Sequence, residues 1–156
     1  MSVLPTILHD EAWHRAKFVR SLKNDPRIAV QRFEDGYALG VSDLFVGSSN
    51  QGMWVETKCH QPAPSGVLLP RSKVPGTQID FLQSMNGRPN RASILLFTET
   101  SWICCPITHV EAVLFDNKDQ AILRTGCPRT FADLLLSMSE VDRWMATRTA
   151  PLRAIS

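Results

Sequence analysis

Asp43, Glu56 and Lys58 fall within one stretch, GVSDLFVGSSNQGMWVETKC, running from Gly40 to Cys59. It reads as two apolar strands joined by a polar loop, and ordinary strand packing calls for neither the acids nor the base. With Gly47 to Gly52 as the loop, Val46 faces Met53, Phe45 faces Trp54, Leu44 faces Val55 and Asp43 faces Glu56. Directly opposed residues of antiparallel strands hold their Cβ atoms about 4.5–5.5 Å apart. Side chains alternate along a strand, so Glu56, Lys58 and Asp43 share a face; a slip of one residue would separate the acids. Opposed carboxylates repel unless they share a proton, gain a cationic partner or bind a divalent metal. Lys58 supplies one positive charge. Mg²⁺ is the better answer, because it takes one or two carboxylate oxygens together with water and phosphate oxygens. That leaves Lys58 to orient or deprotonate a water. Each residue alone is an ordinary strand-start acid or a surface Glu–Lys pair; the set together reads as chemistry.

The elements that must position this hairpin follow from periodicity. LHDEAWHRAKFVRSL predicts a helix with Leu8, Ala12, Ala16, Val19 and Leu22 on one side, interrupted by Arg15. His9, Asp10 and Glu11 open it, and Asn24 to Pro26 closes it. RIAVQRFE predicts a strand ended by Asp35-Gly36, followed by the hairpin and a long Pro/Gly/Ser-rich loop from Cys59 to Gly76. TQIDFLQSMNG predicts a second helix, with Thr77 and Asp80 at capping-box spacing and Asn86-Gly87 as the stop. ASILLFTETSWICCPI gives two strands and a tight turn, and Thr108 with Glu111 predicts a capped short helix. Phe131, Leu134, Leu135, Met138, Val141 and Met145 form a last helical stripe, read as core packing. The expected order is helix, three strands, helix, two strands, then helices: an α/β (α+β) layer fold with a central mixed sheet. Residues 1–146 are expected to form one domain, with 147–156 a loose tail.

Composition narrows the class. The chain has 156 residues, 44% hydrophobic and 21% charged, with formal net charge +2, which permits a nucleic-acid partner without demanding one. No apolar run approaches the roughly 20 residues of a membrane helix, and MSVLPTILHDEAW lacks the basic and apolar regions of a secretory signal. A cytoplasmic protein without membrane contact is expected. Cys59, Cys104, Cys105 and Cys127 show no disulfide spacing and are expected reduced. Cys59-His60 is the only close thiol–imidazole pair, so zinc is not expected from spacing.

Asp43 followed by VETK resembles the PD-(D/E)xK nuclease superfamily, whose pattern is an acid on one strand and E-x-K on the next. GVSDLF, MWVETK and GTQIDFLQSM together resemble its stand-alone VRR-NUC type, and GMWVETK is similar to the E-x-K strand of phage junction resolvases. The resemblance covers the first two-thirds of the chain. Ser42 stands where the family usually has proline. The resemblance implies a restriction-endonuclease-like core of helix, three strands, helix and strand. It implies that Asp43 and Glu56 bind Mg²⁺ or Mn²⁺ with the backbone carbonyl of Thr57, and that Lys58 positions the attacking water. Gln78 matches the family glutamine, and Glu11 the additional acid that many members carry, though a dipole-favoured N-terminal acid accounts for Glu11 equally well.

The implied activity is hydrolysis of phosphodiesters in branched DNA such as a four-way junction or flap. The open rivals are a restriction-type nuclease of linear duplex, a non-catalytic nucleic-acid-binding subunit and an unrelated α+β interaction module that binds neither DNA nor metal. No nucleotide cofactor is called for; a homodimer would suit a symmetric junction. Arg71 and Lys73, before Gln78, and Arg88 and Arg91, at the end of that helix, could form a basic rim for the polyanion. Each alone is an ordinary solvated cation. No aromatic-interleaved basic tract, zinc finger or basic helix points to base reading.

Overall fold

The computed structural model describes residues 6–33, 41–49, 51–87 and 90–137. Helix α1 spans Glu11–Lys23, and the Asp10 carboxylate caps it by accepting the Trp13 N–H at 2.8 Å. Asn24 ends it, two residues before Pro26. Because that cap satisfies an otherwise orphaned donor, Asp10→Ala should cost about 1 kcal/mol, read as a lower urea midpoint with unchanged slope.

The buried face of α1 is His14, Phe18, Val19 and Leu22. The expected stripe is half wrong: Leu8 is 77% exposed, Ala12 is exposed and Ala16 only half-buried. Aromatic packing decides the rotation, since the Phe18 ring meets Phe97 at 5.6 Å and Phe131 at 4.9 Å. A large ring removes far more area from water than an alanine.

Strands β1 (Ala29–Arg32), β2 (Leu44–Gly47) and β3 (Gly52–Cys59) form an antiparallel meander. The hairpin register is the expected one, with Leu44 opposite Val55, Phe45 opposite Trp54 and Val46 opposite Met53. The Asp35-Gly36 stop lies outside the described residues. After the long loop, α2 spans Gly76–Met85. The Thr77–Asp80 box does not form: the helix opens one residue earlier, Pro75 takes the N-cap position, and no side chain caps it. Asn86 is the C-cap, and Gly87 at φ +79° supplies the left-handed turn.

Strand β4 (Arg91–Phe97) runs parallel to β3, and β5 (Trp102–Pro106) returns antiparallel. Strand β6 (Arg124–Gly126), which the sequence reading lacked, pairs with β5 and completes a six-stranded sheet in the order β1-β2-β3-β4-β5-β6. Between β5 and β6, a 3₁₀ turn (Ile107–His109) and a π-helical turn (Glu111–Phe115) replace the capped helix expected at Thr108. Thr108 instead pairs with His109, and Glu111 with Arg71 at 2.7 Å. Helix α3 spans Phe131–Leu136 with Phe131 and Leu135 buried; Met138, Val141, Met145 and the 147–156 tail lie outside the described residues.

The sheet is mixed and carries helices on both faces, the expected α+β arrangement. One apolar layer joins α1 and α3 to Leu44, Val46, Met53, Val55, Leu95 and Phe97. The other joins α2 and the turns after β5 to Ile94, Leu96 and Ile103, with Trp54 packed against it. Residues of opposite parity along β3 therefore face different helices. No helix among the described residues is long and apolar enough to cross a membrane.

Candidate active site

Alternation on β3 sends Glu56 and Lys58 to the α2 face with Trp54, and Thr57 to the α1 face with Val55. Trp54 packs there between Phe45 (4.7 Å) and Phe81 (5.3 Å), in the core role expected of it. Asp43 stands just before β2, where pairing to β3 ends. Freed from the ladder, its Oδ2 accepts from the Thr57 N–H at 2.9 Å and the Thr57 hydroxyl at 2.8 Å. This clamp fixes Asp43 across the end of the hairpin.

Glu56 is 2% exposed. Its Oε1 lies 3.4 Å from Lys58 Nζ, and its Oε2 is buried with no hydrogen-bond partner. Burial, then the negative charge of Asp43, pushes its carboxyl up to about 8 against the opposing pull of Lys58. Two further buried polar atoms without partners belong to the same side of the sheet: Trp54 Nε1 and Oε1 of Gln78, in the first turn of α2. Buried polar atoms are nearly always satisfied, so three orphans on one face require an explanation.

Helix α1 closes the site from the other face. Arg15 Nη1 reaches Glu11 Oε2 (3.1 Å), the Thr57 hydroxyl (3.0 Å) and Asp43 Oδ1 (3.3 Å). Burial, then the charge of Asp43, raises the Glu11 carboxyl; Arg15 and Lys58 oppose the rise. Glu11 thus belongs to the same electrostatic group, reaching it past Asp43. Glu11, Asp43 and Glu56 do not bring one oxygen each within 4.8 Å of one another, and the Arg15 guanidinium lies between the first two. One of the three remedies for opposed acids is present in the geometry, a cation beside Asp43, while burial makes the charged form of Glu56 costly.

Sequence reasoning missed Arg15, although one signal was present: a guanidinium interrupting an apolar helix face, four residues after an acid. Three of the four residues expected to form a basic rim, Arg71, Lys73 and Arg91, lie among the described residues. Arg71 is occupied by Glu111 and by the Phe115 ring, 4.8 Å from its guanidinium carbon. Lys73 is exposed and near enough to His60 to help burial lower that imidazole's pKa. Arg91 begins β4, and Arg88 lies outside the described residues.

No family model matches the chain, and no curated protein matches it. Among solved structures, the Holliday junction resolvase Hjc of Archaeoglobus fulgidus is similar over 62% of this chain and 76% of that one, at 18% identity and TM-score 0.45. The site described above stands on its own geometry.

Proposed function

We propose that the protein is a divalent-metal-dependent endodeoxyribonuclease acting on branched DNA. The observation that carries this reading is the buried, partnerless Oε2 of Glu56 on the Asp43 side of the hairpin, with Lys58 at 3.4 Å from the other oxygen. A carboxyl pushed up to about 8 marks a place where negative charge lacks compensation, and a hard cation restores it. Asp43, Glu56 and the Thr57 carbonyl would hold Mg²⁺ or Mn²⁺. When bound, that ion supplies Lewis-acid stabilisation of the charge that develops on the phosphodiester.

The chain's own groups do the rest. Lys58 orients the attacking water and donates to developing negative charge. Gln78, its amide oxygen unpartnered, accepts from that water or from the substrate. Thr57 holds Asp43 through two hydrogen bonds, and Arg15 holds Asp43 against Glu11. Branched DNA as substrate rests on the resemblance of GMWVETK to junction resolvases and on the lack of a base-reading tract.

A second reading is favoured by Arg15 itself. A guanidinium against Asp43 can replace an ion, leaving a nucleic-acid-binding subunit without catalysis. A panel of linear duplex, flap and four-way junction, each with Mg²⁺ and with Mn²⁺, separates the readings. The proposal expects the junction or flap to be cut and the duplex spared. Equal cutting of plain duplex would point to a restriction-type nuclease. Binding without cutting under any divalent ion would establish the binding subunit.

A further inference from the structure

A second cluster of ligand-type side chains lies across α1 from the candidate active site. His9 Nδ1 is 2.5 Å from Glu99 Oε1, and His14 Nε2 is 3.4 Å from Glu99 Oε2. One donor atom from each of the three residues lies within 4.8 Å of the others, the only such trio among the described residues. His9 precedes α1, His14 sits in its first turns, and Glu99 lies in the β4–β5 turn. The separation in sequence explains why ligand spacing gave no zinc signal.

His14 is 5% exposed, yet its Nε2 has no hydrogen-bond partner. Its Nε2 lies 3.4 Å from Glu99 Oε2 without hydrogen-bond geometry, and a buried imidazole nitrogen left so is costly unless an ion bound to both groups satisfies it. The rings are held in place: His9 stacks on Trp13 at 3.7 Å and 11°, and His14 stacks on Phe97 at 5.7 Å. Glu99 is held in place by the Leu8 N–H, which donates to its Oε2 at 2.9 Å.

We infer that His9, His14 and Glu99 form a zinc site, binding Zn²⁺ through His9 Nδ1, His14 Nε2 and a Glu99 oxygen. Two imidazoles and one carboxylate are donors that zinc accepts at about 2.0–2.2 Å, with water in the fourth position of a tetrahedron. Donors around such an ion stand about 3.3 Å apart; the His14–Glu99 spacing of 3.4 Å already matches, and the His9–Glu99 contact of 2.5 Å opens by a side-chain rotation to admit the ion. His9 is 40% exposed, which gives the ion and its water a route in. Bound zinc would tie the residues before α1 to the β4–β5 turn and so hold the helix that carries Glu11 and Arg15. It is distinct from the Asp43–Glu56 pair and does not depend on the nuclease reading.

The test is equilibrium titration of the full chain with Co²⁺, followed by the intense visible bands of four-coordinate cobalt and by Zn²⁺ competition. A parallel thermal melt, with and without Zn²⁺, gives a second readout. One ion should give four-coordinate bands, be displaced by zinc and raise the Tm. His9→Ala, which changes a half-exposed ring and spares the core, and Glu99→Gln should each weaken binding about 100-fold and abolish the Tm gain. Glu56→Gln, which keeps the shape of the other site, should leave the bands unchanged. Absence of four-coordinate bands in the wild type, or their loss in Glu56→Gln with retention in His9→Ala, would overturn the assignment.

Discussion

Glu56→Gln should make the protein more stable above neutral pH and flatten its stability profile. The carboxyl of Glu56 is pushed up to about 8 by burial and by Asp43, against 4.5 when unfolded. Between those values the folded state binds more protons than the unfolded state, so stability falls as pH rises. The penalty is absent below about pH 4.5, grows through the interval and is complete above about 8. Its full size is on the order of a few kcal/mol. Glutamine keeps the shape and cannot ionise. The wild-type minus variant difference in urea unfolding free energy, taken from pH 5 to 9, should therefore decline steadily and then level. Glu11 titrates in the same direction and His14, lowered first by burial, in the opposite one; both are common to the two proteins and cancel in the difference. Mg²⁺ or Mn²⁺ should recover wild-type stability at pH 8 and leave the variant nearly unmoved. A flat difference would show that Glu56 stays ionised throughout, removing the strongest support for an ion at this position.

Lys58→Ala should abolish cleavage while sparing binding. A group that stabilises charge only as the phosphodiester breaks contributes about 10²–10³-fold in rate. Arginine should not rescue it, because a planar fork cannot stand where a compact ammonium sits 3.4 Å from Glu56. Lys58 is a cleaner probe than Asp43. Removing the Asp43 carboxylate strands the Thr57 N–H and hydroxyl and frees Arg15, so Asp43→Ala mixes lost chemistry with lost structure. Removing Lys58 leaves only Glu56 without its cation, a change that single-turnover cleavage at pH 6.5, below the Glu56 transition, keeps out of the comparison. Junction affinity by gel shift should stay within about threefold, since one partly buried lysine beside an acid contributes little to phosphate neutralisation. Cleavage at wild-type rate would remove Lys58 from the chemistry and, with it, the functional meaning of the E-x-K strand.

The hairpin was legible because its loop is: Gly47, Ser48 and Ser49 break two apolar runs, and the register of Leu44, Phe45 and Val46 follows from where the chain turns. The pairing ends at Leu44 and Val55, which leaves Asp43 and Glu56 as the next residues along the two chains. Helix α1 was placed correctly along the chain but rotated wrongly about its axis. Counting hydrophobicity penalises a face containing His14, although His14 is buried by stacking on Phe97. Arg15, half-buried among its ion pairs, read only as an interruption of the apolar stripe. Thr77 and Thr108 failed as caps because Pro75 and Pro106, each two residues earlier, take the N-cap positions. Strand β6, Arg-Thr-Gly, has no alternation of its own and exists only by pairing with β5. The trio of His9, His14 and Glu99 needs the tertiary fold, since 85 residues separate the last two (99 − 14).

The two borders of the sheet, β1 and β6, are four and three residues long, and each carries an arginine, Arg32 or Arg124. Short margins bearing cations offer little template for another chain to extend the sheet by main-chain hydrogen bonding. Two copies meeting margin to margin would gain only a few such bonds and bring like charges together. Accretion into ribbons is thereby discouraged at both ends, and the main-chain groups of the hairpin that carries Asp43 and Glu56 stay sealed in the interior of the sheet, away from intermolecular exchange.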